Sequence, residues 1–184
     1  ILKKIIPETN VIIRKDINQE VFFAFTKIMD YVLTHWKIIP YTQGDSNSGA
    51  QVKSRMRECW KSRENVLVFP EGTVRGKMKT PFFPGSFRQA FNEGITIQPI
   101  TLYYNHNNFC ADDGTEPYHL DVLENLKHFA HVQDNRCYLH FHPPVNSAQW
   151  TNAKYLQQHC EKIMVKKWQE YVKRDDCHEL ETVV

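Results

Sequence analysis

A carboxylate, a glycine and a hydroxyl stand together at Glu71-Gly72-Thr73, where a short apolar run, Val66-Leu67-Val68-Phe69, is stopped by Pro70. Arg75, Lys77 and Lys79 follow within five residues, in a loop with its own Gly76. Such a set can recognise a polar, anionic small molecule. The carboxylate accepts hydrogen bonds from hydroxyl groups, and the cations bind phosphate or carboxylate oxygens through charge-assisted bonds. Four apolar residues between charge and proline suit a strand buried on both faces. The carboxyl ends of such strands are where open α/β sheets hold their ligands. A plainer reading stays open, in which Glu71 is a surface turn residue paired with one of the cations.

The chain then turns through Pro81-Phe82-Phe83-Pro84-Gly85, and Ser86 is placed to cap a helix that carries Arg88 and Phe91 and ends at Gly94. Read in order, Phe69-Pro70-Glu71-Gly72-Thr73, Pro81-Phe82, Gly85, Phe87, Ala90 and Ile97-Gln98-Pro99-Ile100 resemble the glycerolipid acyltransferases. The closest resemblance is to the 1-acylglycerol-3-phosphate (lysophosphatidate) acyltransferases, over roughly Val11 to Pro144. The resemblance implies acyl transfer from acyl-CoA, as co-substrate and with no cofactor, to a lysophospholipid at a membrane surface. It makes Glu71, Gly72, Thr73, Arg75 and Lys77 the substrate-binding residues. Glu71 would accept from hydroxyl groups, Thr73 and nearby backbone N–H groups would donate, and Arg75 or Lys77 would face phosphate.

The chain departs from the family pattern in three places. Val74 stands where the family more often has arginine, and the loop is about one residue short. A second phosphate-binding arginine is expected at the end of the strand near Ile38 to Thr42, where Thr42 stands instead; Lys15 or Arg88 are the substitutes within reach of the pattern. The family's base is the histidine of an H-x4-D box, and none of the nine histidines has aspartate five places later. The H-x4-D box is therefore absent from this chain and the catalytic residue is unknown: His119 with Glu124 is only a remote imitation, and the box is expected at or just before Ile1. The alternative is a chain without the box, an inactive acyltransferase-like subunit binding lipid or partner proteins in a larger assembly.

Positioning these residues requires an alternation of strands and helices. Val11-Ile12-Ile13, Lys37 to Tyr41, Val66 to Phe69, Ile95 to Tyr104 and Arg136 to Phe141 read as strands. Helices are expected from about Asp16 to Trp36, Ala50 to Arg63, Ser86 to Gly94, Tyr118 to His131 and Asn152 to Lys173, with residues 43–49 and 105–117 as loops. The helix from Ala50 should turn Val52, Met56, Cys59 and Trp60 inward and Lys53, Arg55, Arg57, Lys61 and Arg63 outward. The last helix carries a core stripe of Leu156, Cys160, Ile163, Met164, Trp168 and Tyr171. The pattern predicts an α/β fold: a mixed, largely parallel sheet flanked by helices, as in glycerol-3-phosphate acyltransferases. Residues 1–174 form one domain in this reading, and 175–184 a loose tail.

Composition narrows the function classes. A formal net charge of +2 over 184 residues calls for no nucleic acid partner. No run of 18 apolar residues is present, so no segment reads as a membrane span. The broad apolar surface of the 16–36 helix suits either core packing or contact with lipid. Five cysteines, an odd number without a C-x-x-C, fit free thiols on the reducing side of a membrane better than a disulfide framework. His140-Phe141-His142 puts two imidazoles on one strand face and His128 and His131 lie one helical turn apart; both pairs are read as structural, with no metal site.

Overall fold

The computed structural model describes residues 9–14, 37–42, 45–72, 78, 80–104 and 137–181. The helices expected over 16–36 and 118–131 and the loop over 105–117 lie outside the described residues. Two compact units are present, Ile1–Phe69 and Pro70–Val184.

In the first unit β1 (Thr9–Arg14), β2 (Ile38–Tyr41) and β3 (Asn65–Leu67) form a parallel sheet in the order β2-β1-β3, connected from β2 to β3 through α1 (Ser46–Lys61). Helix α1 covers this sheet as the apolar spacing requires. Val52, Met56 and Cys59 are buried with Ile39, and Ile12, Tyr41, Trp60, Val66 and Val68 pack around them. Lys53, Arg55, Arg57, Lys61 and Arg63 are exposed. The helix begins earlier than its apolar pattern suggests. Residues 45–49 were expected in a loop, but Asp45 is an N-cap whose carboxylate accepts from the Asn47 N–H at 2.9 Å. Pro40 occupies β2, which among the described strands lies at the sheet edge beside β1, and it is exposed there, a place in a sheet where proline is tolerated.

At the amino ends of these strands, buried Asn10 donates to Glu64 at 2.8 Å and to the Asn65 carbonyl at 3.3 Å, while Lys37 pairs with the same Glu64 carboxylate. The Lys37 ammonium and then the Asn10 amide hold the Glu64 carboxyl below its usual range. This cluster is at the opposite end of the strands from their carboxyl termini, and it ties strand starts together.

The second unit has a different construction. Helix α2 (Gly85–Asn92) packs on α3 (Ala153–Glu181), and α3 also packs on β5 (Ile100–Tyr104). Strand β5 pairs antiparallel with β6 (Cys137–Phe141), and β4 (Thr96–Ile97) pairs antiparallel with β7 (Val145–Asn146). The core is Phe82, Phe87, Val145, Leu156 and Cys160, with Met78, Phe91, Ile97, Trp150 and Met164 around it. Burial pushes the Cys160 thiol up to about 11, which leaves it an apolar packing group.

Four expectations are corrected here. The sheet is only partly parallel: β1, β2 and β3 are, whereas β4 to β7 are antiparallel pairs. The long strand from Ile95 to Tyr104 is two strands, because Pro99 has no N–H to donate to the ladder. The Gln98 side chain substitutes for it, donating to the His142 carbonyl at 2.5 Å. Ser86 does not cap α2, which starts at Gly85 with Pro84 before it and no side-chain cap; the preset φ of proline suits a helix start. Gly94 does end it, with φ +64 and its N–H bonded to the Phe91 carbonyl. Finally, α3 continues past Lys173 to Glu181, so the segment expected as a loose tail begins as helix.

Candidate functional site

The order β2-β1-β3 places β1 between strands reached in opposite directions along the sheet. Strand β3 ends at Leu67, and the chain continues through Val68-Phe69, the last residues of the first unit, to Pro70-Glu71-Gly72, the first residues of the second. The run before Pro70 is less buried than expected. Among the described residues strand β3 has one partner, β1, and Phe69 is exposed.

The Glu71 turn has a fixed shape within the second unit. Gly72 has φ +63, a left-handed conformation that side chains rarely adopt. A Cβ there would lie 2.5 Å from Phe83 Cε2 and 2.6 Å from Cδ2. Glycine is thus required twice, for backbone angle and for close approach. The Phe83 N–H donates to the Pro70 carbonyl at 2.7 Å, closing the turn against the segment that follows the basic loop. Glu71 itself is half-buried.

Phe83 is held in place through its neighbour. Phe82 is buried and stacks on Phe87, ring centroids 6.4 Å apart. Its N–H donates to Glu161 Oε2 at 2.8 Å, and its carbonyl accepts from Gln157 Nε2 at 2.7 Å. Both polar backbone groups of a buried residue are satisfied by one face of α3, since positions four apart lie over one another on a helix. The sequence marked Pro81 to Gly85 as a turn but gave no sign of these two α3 residues. Their spacing is that of any solvent-edge pair beside a core stripe.

Of the residues expected to bind substrate, the structure describes Glu71 and Gly72 and brings them into this turn. Thr73, Arg75 and Lys77 lie outside the described residues. Where the resemblance called for arginine near the end of β2, Thr42 is half-buried and its N–H donates to Ser48 Oγ at 2.8 Å, bracing the start of α1. Arg88 is exposed on α2.

The two strand imidazoles do come together, His140 and His142 with ring centroids 4.6 Å apart. No group of three metal-ligating side chains occurs among the described residues. His142 instead joins a buried chain: Thr101 Oγ1 donates to the Met164 carbonyl at 3.3 Å and is hydrogen-bonded to His142 Nε2 at 2.8 Å. The His142 N–H also donates to the Pro99 carbonyl at 3.0 Å. Burial first, then His140 and Lys167, push the His142 imidazolium down below its ordinary range, against the opposing pull of Glu170. The folded state therefore binds this proton less readily than the unfolded chain. Stability should be fully present above the unfolded value of about 6.5 and fall as the pH drops below it, by at most about 1.4 kcal/mol per pH unit for one proton. Urea unfolding at stepped pH checks this, and His142→Gln should flatten the slope.

No helix among the described residues is long and apolar enough to cross a membrane. No curated protein matches the chain, and no solved structure does. The family model described as Acyltransferase matches residues 7–103, just over half of the 184 residues, from before β1 into β5 and through the whole Glu71 turn. The chain belongs to the acyltransferase family.

Proposed function

We propose that this chain serves acyl-CoA-dependent transfer to a lysophospholipid such as 1-acylglycerol-3-phosphate, in phospholipid synthesis or remodelling. The observation that carries the reading is the rigid Pro70-Glu71-Gly72 turn, inside a segment matched by the acyltransferase model. In the proposed step the acceptor hydroxyl oxygen bonds to the thioester carbonyl carbon and the carbon–sulfur bond breaks. The hydroxyl proton goes to a base, and coenzyme A leaves as the thiol. The Glu71 carboxylate accepts from the acceptor's hydroxyl groups and orients the nucleophile, work worth far more when the group is held in place beforehand. Gly72 and Thr73 offer N–H and hydroxyl donors beside it, and Arg75 or Lys77 binds the phosphate. The base is the family's His–Asp box, which these 184 residues do not contain. Transfer takes place at a membrane surface, on its reducing side.

The test uses the complete protein with acyl-CoA and a panel of acceptors: 1-acylglycerol-3-phosphate, other lysophospholipids and glycerol-3-phosphate. Labelled diacyl product from a lysophospholipid is the expected result, and failure with every lysophospholipid would sink the proposal. Thr42 at the end of β2, in place of the expected arginine, favours one second reading, a catalytically inactive subunit that binds lipid or partner proteins. That reading requires binding to lysophospholipid vesicles, or co-purification with another subunit, without turnover.

A further inference from the structure

The turn that holds Glu71 is set by a part of the chain beyond the family match. From Pro70 the contacts run through the Phe83 N–H to the Phe82 peptide, and from there to α3 through Glu161 and Gln157. Helix α3 starts 50 residues after the matched segment ends at 103. Each contact is short, 2.7 to 2.8 Å, and each engages a backbone group that has no freedom to swing as a side chain would. Leu156 and Cys160, neighbours of Gln157 and Glu161 in sequence, are fully buried, so the helix cannot shift without disturbing the core.

We infer that Glu161 and Gln157 are positioning residues for the acyl-acceptor site: they clamp both polar groups of the Phe82 peptide, and so fix Phe83 and the Pro70-Glu71-Gly72 turn that it closes. The inference rests on the proposed function for the word acceptor; the clamp itself is a statement about this fold. An apolar residue at 161 leaves the Phe82 N–H without its acceptor inside the protein, and the Phe82–Phe83 segment then moves away from α3. Glutamine at 161 keeps a carbonyl oxygen of the same reach. The pair is a hydrogen-bond requirement, not a charge requirement, and that distinguishes it from a group acting on phosphate.

The experiment compares Glu161→Leu, Glu161→Gln and Gln157→Leu in the complete protein, by turnover and by hydrogen exchange at the Phe83 amide. A displacement of about 1 Å at a positioning group can cost on the order of 100-fold in rate, and that loss is expected for Glu161→Leu. The Phe83 amide should exchange roughly tenfold faster in the same variant, while amides of the α3 core keep their protection. Glu161→Gln should restore both readouts to near the parent values. Gln157→Leu, which leaves the Phe82 carbonyl unpaired, should repeat the pattern and decides the matter if Glu161→Leu does not fold. Unchanged Phe83 exchange in the folded leucine variants overturns the clamp. Faster exchange with undiminished turnover overturns its positioning role. Failure of the acyltransferase reading would show differently, as absent turnover in the parent protein with the Phe83 exchange pattern intact.

Discussion

Replacing Gly72 with alanine is expected to cost more than the same change at any other described glycine. The left-handed angle of +63° alone costs an L-residue about 1–2 kcal/mol. The added Cβ would also sit 2.5 Å from the Phe83 ring, well inside contact distance. Phe83 is 45% exposed, so its ring has solvent to swing into, but its backbone stays tied to the Pro70 carbonyl. The strain is therefore shared between a rotated ring and a distorted turn. Turnover should fall by about 100-fold, as for displacement of an orienting group by roughly 1 Å, with the Phe82–Leu156–Cys160 core still folded. Removing the ring as well, in Gly72→Ala with Phe83→Ala, should relieve the clash and leave the backbone penalty. Partial recovery in the double variant, followed by thermal unfolding and by transfer rate, separates the two terms. Equal loss in the single and double variants would show that the ring plays no part.

Much of this site was legible in the residues, and the rest was hidden for identifiable reasons. The Glu71-Gly72 pair after an apolar run could be picked out by residue type, although the same residues also suit a surface turn. The inward stripe of α1 and the stripe of α3 were equally plain, since Val52-Met56-Cys59 and Leu156-Cys160-Met164 follow helical spacing without interruption. The start of α1 was not, because Asp45-Ser46-Asn47-Ser48 is turn chemistry that also caps and opens a helix. The break in the long strand lies at Pro99, inside an apolar run that otherwise reads as continuous. Least readable was the Phe82 clamp. It depends on Glu161 and Gln157, 79 and 75 positions away, and on hydrogen bonds to a peptide group that every residue possesses. Side-chain type carries no record of such a partner.

The same reasoning assigns Glu71 a distinct signature. A hydrogen bond to a charged group is worth about 1.5–3 kcal/mol, which corresponds to roughly 10- to 150-fold in rate when it is made to the reacting acceptor. Glu71→Gln keeps the shape and an acceptor oxygen and should lose about tenfold; Glu71→Ala removes the contact and should lose about 100-fold or more. Glu71 is not part of the Phe82–Phe87 core, so both variants should keep that core folded. The most direct measurement is the acceptor dependence of acyl transfer by the complete protein and by Glu71→Ala, at saturating acyl-CoA. The account predicts that kcat/KM for 1-acylglycerol-3-phosphate collapses in the variant, while its core stays folded and the Phe83 amide keeps its protection. A folded Glu71→Ala protein that transfers acyl groups to that acceptor as efficiently as its parent would contradict it.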